Sequence, residues 1–170
     1  MKKNLVLILN LLGMILLMTP ACAREGTPKT VPLWLYWNPE RQDNVNAATK
    51  EGIAVAEKYG YKKVRMEGRV FPQPVTGTVP LKLFWNPTRG DNITVATKEG
   101  ESDALNYGYQ FVRIEGYVYP QTQTGTVPLL LYWDSVRQDN DTVSTADGEK
   151  DAKNAGYRLV RIEGYVFPAD

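Results

Sequence analysis

The sequence predicts an α+β fold built from three tandem strand–strand–helix–strand repeats of 48 residues. Val31-Pro32-Leu33, Gly60-Tyr61 and Glu67-Gly68 each recur twice at an offset of 48 residues, without insertion or deletion. Repetition at a fixed period of this length indicates a repeat architecture. One such unit cannot bury its apolar face alone, so the three are expected to share a core. We expect a closed pseudo-threefold arrangement, with a short open solenoid as the alternative.

The first 23 residues have the three-part form of a secretory signal peptide. A basic Met1-Lys2-Lys3 precedes an apolar run over residues 5–18, and Ala21-Cys22-Ala23 offers a cleavage site. The apolar run is shorter than the roughly 20 residues that a transmembrane helix requires. We therefore expect a secreted or periplasmic protein without a membrane span, or alternatively one anchored by a lipid on Cys22.

Cleavage after Ala23 would leave a mature chain with neither cysteine nor histidine and with nearly balanced charge. Nucleophilic sites that use histidine are then impossible, and a zinc site would need carboxylates alone. A glycosidase-type pair of carboxylates would have to appear three times. A chain with nearly balanced charge lacks the excess of basic residues that is typical of nucleic-acid-binding proteins. We expect no enzyme, metal or cofactor in a chain organised as a linker (24–30) and repeats at 31–78, 79–126 and 127–170.

Residues Pro32–Trp37 are predicted to form the first strand of the repeat. Leu33, Leu35 and Trp37 share one face by the two-residue period, and all three recur in the other copies. We interpret this face as the core face. The opposite face then presents Tyr36 to solvent.

A polar loop over residues 38–44 and a short strand ending at Ala48 follow. Thr49 is predicted to cap a helix, because its hydroxyl can accept a hydrogen bond from a free first-turn amide. The helix is expected to end at Gly60, which readily takes the left-handed conformation. Gly52, inside the helix, costs about 1 kcal/mol relative to alanine. Its recurrence in all three copies predicts very close packing of the helix backbone on the sheet.

Residues Tyr61–Phe71 are predicted to form a long closing strand. Alternation places Val64, Met66 and Val70 on one face and Arg65 and Glu67 on the other. Gly68 within the strand predicts a bulge or a close approach of another backbone. The Pro/Gly/Thr-rich connection that follows is short enough to pair this strand with the first strand of the next repeat.

Five short features follow one another in the first repeat and, with one exception, in its copies. They are Asn38-Pro39, Asp43-Asn44, Thr49, Gly60-Tyr61 and Glu67-Gly68. In this order they resemble tandem repeats of unknown function in secreted bacterial proteins. The departures are Asn44, Asn92 and Asn140, where that family tends to have histidine, and Asp134-Ser135 in place of Asn-Pro. The resemblance implies a non-catalytic module for binding or adhesion, often appended to secreted hydrolases.

The polar loop and a neighbouring aromatic residue form the candidate ligand-binding site of each repeat. Amides, carboxylates and guanidinium groups can grip adjacent hydroxyls, and a ring can stack on a sugar. The candidate residues are Tyr36, Arg41, Asp43 and Asn44, with their equivalents Phe84, Arg89, Asp91, Asn92, Tyr132, Arg137, Asp139 and Asn140. The pattern predicts a multivalent module that binds glycans or a cell-surface protein.

Two alternatives assign the same loop a different role. In a structural or protein-interaction repeat domain with no small-molecule site, Arg65 and Glu67 would pair with Asp43 and Arg41, and Asn44 would close an Asx-type turn. Calcium is the other alternative, although two side chains per loop are too few ligands and the arginine opposes a cation. The carbohydrate hypothesis requires free polar atoms on the loop.

Overall fold

The computed structural model describes residues 29–170, so the predicted signal peptide, the Cys22 anchor and most of the linker lie outside the described residues. The first repeat contains β1 (Val31–Asn38), β2 (Asp43–Ala47), α1 (Lys50–Lys58) and β3 (Lys62–Val70). The second contains β4 (Val79–Asn86), β5 (Asp91–Val95), α2 (Lys98–Asn106) and β6 (Gln110–Val118). The third contains β7 (Val127–Asp134), β8 (Asp139–Val143), α3 (Ala146–Asn154) and β9 (Arg158–Val166). Three strand–strand–helix–strand repeats are confirmed, but α+β describes this mostly sheet protein only loosely.

Each repeat forms its own three-stranded antiparallel sheet with its first strand in the centre: β2-β1-β3, β5-β4-β6 and β8-β7-β9. The prediction that the last strand of one repeat pairs with the first strand of the next is therefore wrong. The connection over residues 71–78 exceeds the two to five residues of a usual hairpin loop. It carries the chain into a separate sheet instead.

The three sheets are not joined into a closed barrel within the described residues, but each sheet bonds to both others. Isolated antiparallel bridges link the repeats in turn: Phe71 with Tyr117, Tyr119 with Tyr165, and Arg69 with Phe167. Each bridge has main-chain hydrogen bonds of 2.8–3.1 Å. The contacts thus include one between the first and third repeats.

The repeats share their hydrophobic core. The central cluster contains one leucine and one valine from each repeat: Leu33, Leu81, Leu129, Val70, Val118 and Val166. In a second cluster, Tyr36 and Ala56 of the first repeat surround Leu83 of the second. Equivalent clusters join the second repeat to the third and the third to the first. No repeat encloses these side chains by itself.

The three helices begin and end as predicted. Thr49 is the N-cap of α1, and its hydroxyl accepts a hydrogen bond from the Gly52 amide at 2.9 Å. Gly60 takes a positive φ of 84°, which removes the chain from the helix at little steric cost. None of the helices in the described part of the chain has the length and hydrophobicity needed to cross a bilayer.

The faces of β1 differ from the prediction near its end. Leu33 and Leu35 are buried, but Trp37 is only half-buried, whereas Tyr36 is fully enclosed. As the central strand, β1 has both faces covered: Leu35 faces the third repeat and Tyr36 faces its own helix and the second repeat. The alternation of Leu33, Leu35 and Trp37 therefore assigned to the core the more exposed of the two rings, that of Trp37.

The faces of β3 also differ from the prediction, because the strand bulges. Leu33 of β1 lies opposite Gly68 while Trp34 lies opposite Met66, so Glu67 is the extra residue of a bulge. A second register shift lies near Val64, which is exposed, whereas Glu67 is fully buried. The bulge predicted at the glycine is confirmed. The prediction that Val64 and Val70 share one face is wrong, because Val64 is exposed and Val70 is buried.

Candidate functional site

Three aspartates gather where the second strands of the repeats begin. Asp43, Asp91 and Asp139 are the first residues of β2, β5 and β8, and all three are buried. One carboxylate oxygen of each lies within 4.8 Å of those of the other two. Residues that the sequence places 48 apart therefore form one aspartate cluster.

Each carboxylate of the cluster is hydrogen-bonded by a tyrosine of its own repeat and an asparagine of another. Asp43 accepts from the Tyr61 hydroxyl and from the main-chain and side-chain nitrogens of Asn92, at 2.8 and 2.6 Å. The same pattern repeats twice: Asp91 with Tyr109 and Asn140, and Asp139 with Tyr157 and Asn44. The cluster therefore ties every repeat to both others.

Burial disfavours negative charge on the aspartate cluster. It raises the pKa of Asp91 to about 9 and that of Asp139 to about 7, and neighbouring carboxylates add to both shifts. The pKa of Asp43 is also raised, mainly by burial. Three carboxylates at this spacing could ligate a hard cation. However, hydroxyl and amide groups already donate hydrogen bonds to these carboxylates. The geometry therefore fits a buried hydrogen-bonded contact that holds the repeats together.

Asn44, considered above as the residue that closes an Asx-type turn, belongs to this inter-repeat cluster instead. Asn44 donates to Asp139 at 3.1 Å, so it is not the turn residue. The turn forms at Asn38, whose side-chain oxygen accepts from the amides of Glu40 and Arg41 at 2.9 and 3.1 Å. In the third repeat Asp134 accepts the equivalent bonds, which explains why aspartate can stand there.

The recurring glutamates cap helices of neighbouring repeats. Glu115 accepts from the amides of Ala48 and Thr49 at 2.9 and 3.0 Å and from the Thr49 hydroxyl at 2.9 Å. Glu67 binds Thr145 in the same way, and Glu163 binds Thr97. The predicted pairing of Glu67 with the loop of its own repeat is therefore wrong, because the bulge directs the carboxylate to another repeat.

Two of the loop arginines, Arg41 and Arg89, line cavities between repeats. The Arg41 guanidinium lies 5.3 Å from the centre of the Tyr59 ring and 5.6 Å from that of Trp85, which belongs to the next repeat. These residues line a cavity of about 320 Å³ between the first and second repeats. Such distances allow cation–π attraction.

A matching cavity of about 340 Å³ lies between the second and third repeats. Arg89 takes the place of Arg41, at 5.3 Å from Tyr107 and 5.4 Å from Trp133. Asn140 lines this cavity, as Asn92 lines the first. The two cavities are thus built from equivalent residues 48 positions apart.

The structure separates the predicted site residues into three groups. Tyr36, Phe84 and Tyr132 are enclosed, so their rings cannot stack on a ligand at the surface. The aspartates and asparagines belong to the inter-repeat cluster, and the arginines lie at or near the junctions between repeats. Strand alternation missed the tryptophans because it assigned them to the core. Tyr59 and Tyr107 were recognisable only as aromatic residues before the helix-ending glycine.

The fold and site define a class of repeat protein whose three small sheets are fastened together by buried carboxylates. Residues 23–167 match the family described as a domain of unknown function, DUF5648, and the chain belongs to this family. The match agrees with the resemblance to repeats of unknown function. Comparisons with curated proteins and with solved structures gave no match.

Proposed function

We propose that this protein is an exported, non-catalytic, multivalent module that binds carbohydrate at the junctions between repeats arranged with closed pseudo-threefold symmetry. The observation that carries the proposal is the pair of equivalent cavities, of about 320 and 340 Å³, each with an arginine among aromatic rings. Their volumes lie at the lower end of the range for small-ligand pockets. Each is large enough for one or two sugar rings.

The chemistry of the cavity walls suits a polyol. Trp85 is half-buried, so part of its ring can stack on the apolar face of a sugar. Arg41 can donate two parallel hydrogen bonds to adjacent hydroxyls, and Asn92 adds an amide. Weak sites repeated on one chain gain apparent affinity for a polymer through effective concentration.

A second candidate function is a protein-interaction domain without a small-molecule site. Apolar residues near the start of the closing strands favour it, because they are exposed in neighbouring positions: Val64, Phe111, Val112, Ile114, Leu159, Val160 and Ile162. Contiguous exposed apolar surface often marks a protein contact. A cell-surface protein is the partner that this interpretation suggests.

The proposals of export and of a non-catalytic role rest on the sequence. The charged, apolar and small-residue segments before Arg24 support export, with a lipid on Cys22 as the alternative anchor. Without histidine or cysteine, the mature chain lacks the Ser–His and Cys–His pairs on which many hydrolases depend. Binding without catalysis is consistent with that composition.

A glycan-array screen of the mature protein, followed by titration of the best glycan, tests the proposal. Trp85→Ala and Trp133→Ala should each weaken binding about 2- to 10-fold, the range expected for loss of one aromatic contact. Trp34→Ala is the matched control, since Trp34 lies against Lys63 at 4.2 Å and lines neither cavity. Absence of binding to any glycan, or equal losses in all three folded variants, would reject the proposal.

A further inference from the structure

The junction between the third and first repeats departs from the other two at the cavity wall. Val45 and Ile93 line the two cavities and are 7% and 6% exposed. Their equivalent is Asp141, which is 7% exposed and lies opposite Tyr132 in the register that Val45 has with Tyr36. A carboxylate therefore occupies the place of an apolar wall residue.

The Asp141 carboxylate is not fully satisfied. Its Oδ1 is buried and has no hydrogen-bond partner among residues 29–170. Arg65 is the nearby base, and it already forms ion pairs with Glu67 and Asp151. An unpaired buried carboxylate oxygen is destabilising. Two of the three repeats avoid that cost with an apolar residue, whereas the third retains a carboxylate oxygen that a donor on a ligand could satisfy. The Nη1 of the nearby Arg65 is also buried without a partner among residues 29–170.

The surrounding substitutions make this junction more acidic and remove an aromatic ring from it. Where the first cavity has Val55 and the second has Asp103, the third junction has Asp151. Tyr59 and Tyr107 are replaced by Ala155, which removes a ring from the wall. The arginines recur unchanged at all three junctions. The third junction thus gains two carboxylates over the first, with no compensating base.

Burial and neighbouring carboxylates disfavour a negative charge on Asp141 when nothing is bound to it. Burial raises its pKa to about 8, and the nearby Glu67 and Asp139 add to the shift, while Arg65 opposes it. A bound cation would reverse part of this penalty by stabilising the ionised carboxylate. Its hydrogen-bond donors would satisfy the free oxygen.

We propose that the junction between the third and first repeats binds a primary ammonium group, as carried by an amino sugar with a free amine. The other two junctions bind neutral sugars. The amine specificity rests on the proposed carbohydrate function, but the ammonium contact with Asp141 can be tested without a sugar. An ammonium supplies three donors and one positive charge, which matches the free oxygen and the excess of carboxylates.

Tryptophan side chains report separately on the three junctions. Trp85 and Trp133 line the first two cavities. Trp37 lies opposite Asn44, which bonds to Asp139 and Tyr157 of the third repeat, and so marks the third junction. In a nitrogen-15 correlation spectrum of the mature protein, each indole N–H gives its own signal.

The probes are short chitosan oligomers, their fully N-acetylated counterparts, and butylammonium chloride. We expect chitosan and butylammonium to shift the Trp37 signal, and the acetylated oligomers not to. Asp141→Val should abolish the Trp37 response, preserve responses at the other junctions and raise the melting temperature. Asp141→Asn, which keeps the size but removes the charge, should weaken the amine response at least tenfold.

The responses of the tryptophan signals test the amine site and the carbohydrate proposal separately. An unchanged Trp37 response in both Asp141 variants, or equal shifts of the Trp37, Trp85 and Trp133 indole signals by chitosan, would overturn the amine site. A Trp37 response to butylammonium without any sugar response at Trp85 or Trp133 would keep the amine site and reject the carbohydrate proposal. Sugar responses at Trp85 and Trp133 with no amine response at Trp37 would keep the carbohydrate proposal and reject the amine site.

Discussion

The carboxylate of Glu115 in the second repeat occupies the space that any side chain at Gly52 of the first repeat would need. A Cβ on Gly52 would lie 2.3 Å from Glu115 Oε1. The other two helices repeat the relationship, since a Cβ on Gly100 would lie 2.6 Å from Glu163 and one on Gly148 would lie 2.8 Å from Glu67. The carboxylate binds the helix N-terminus, where exposed amides and the helix dipole stabilise negative charge. The helix glycine is thus retained for a contact between repeats.

Gly52→Ala should destabilise the protein despite the better helix propensity of alanine. Propensity alone would contribute about 1 kcal/mol in favour of the variant. Because the fully buried Glu115 cannot retreat, overpacking should reverse the sign and lower the free energy of unfolding by about 2 kcal/mol. Urea denaturation followed by circular dichroism measures the change.

The control for this substitution is the same change in a Glu115→Ala background. With the carboxylate removed, most of the penalty at Gly52 should disappear, as a double-mutant cycle would reveal. Equal losses of stability in the two backgrounds would show that the glycine is required for some reason other than the glutamate.

The aspartate cluster should make the protein less stable in alkali than in mild acid. The pKa of Asp91 is raised to about 9, so its folded state holds a proton that the unfolded chain releases near pH 4. That contribution is complete below pH 4 and is lost as the pH rises through 9. With these two pKa values the free energy of unfolding should fall by up to about 5 kcal/mol between pH 5 and pH 9, as urea titrations at each pH can measure.

Asp91→Asn should flatten this pH profile, because the amide imitates the protonated carboxyl group. Asp147→Asn, on the exposed first turn of α3, serves as the control and should leave the profile as it is. A profile of unchanged slope in the Asp91 variant would mean that the cluster does not govern the pH dependence.

A single repeat should not fold by itself. In a fragment of residues 31–78, Leu33 and Val70 would lose the leucines and valines of the other two repeats, and Asp43 would lose its asparagine partner. Far-ultraviolet circular dichroism and amide chemical-shift dispersion should show an unfolded chain. The matched control is residues 29–170, which should fold. A cooperative unfolding transition in the single repeat would contradict a shared core.

Local signals predicted the elements well. The Thr49 cap and the Gly60 terminus depend on interactions within a few residues, so their residue types are informative without tertiary context. Gly68 was informative because a glycine inside a strand is itself a sign of a bulge. Strand alternation failed at Tyr36 and Glu67. The central strand buries both of its faces, and a bulge reverses the alternation of the strand beside it.

The candidate site was harder to predict. The recurrence of Arg41, Asp43 and Asn44 correctly indicated constrained positions, but it could not distinguish a ligand site from a fastening between repeats. The aspartates and asparagines bond to other repeats, whereas Arg41 and Arg89 line the cavities together with Asn92 and Asn140. Asn92 and Asp43 lie 49 positions apart, and Asn44 and Asp139 lie 95 positions apart. The spacing of residues within one repeat therefore does not reveal these hydrogen bonds.

The sequence by itself determined the 48-residue period, the order of elements and the helix boundaries, because these follow from short-range geometry and from repetition. The tertiary structure decided which copy supplies each partner: Asn92 for Asp43, Thr49 for Glu115, and Trp85 for Arg41. Burial and charge act between side chains that are distant in the chain. Three equivalent repeats therefore carry the same local pattern, while their junctions differ in chemistry wherever one residue, such as Asp141, departs from its equivalents.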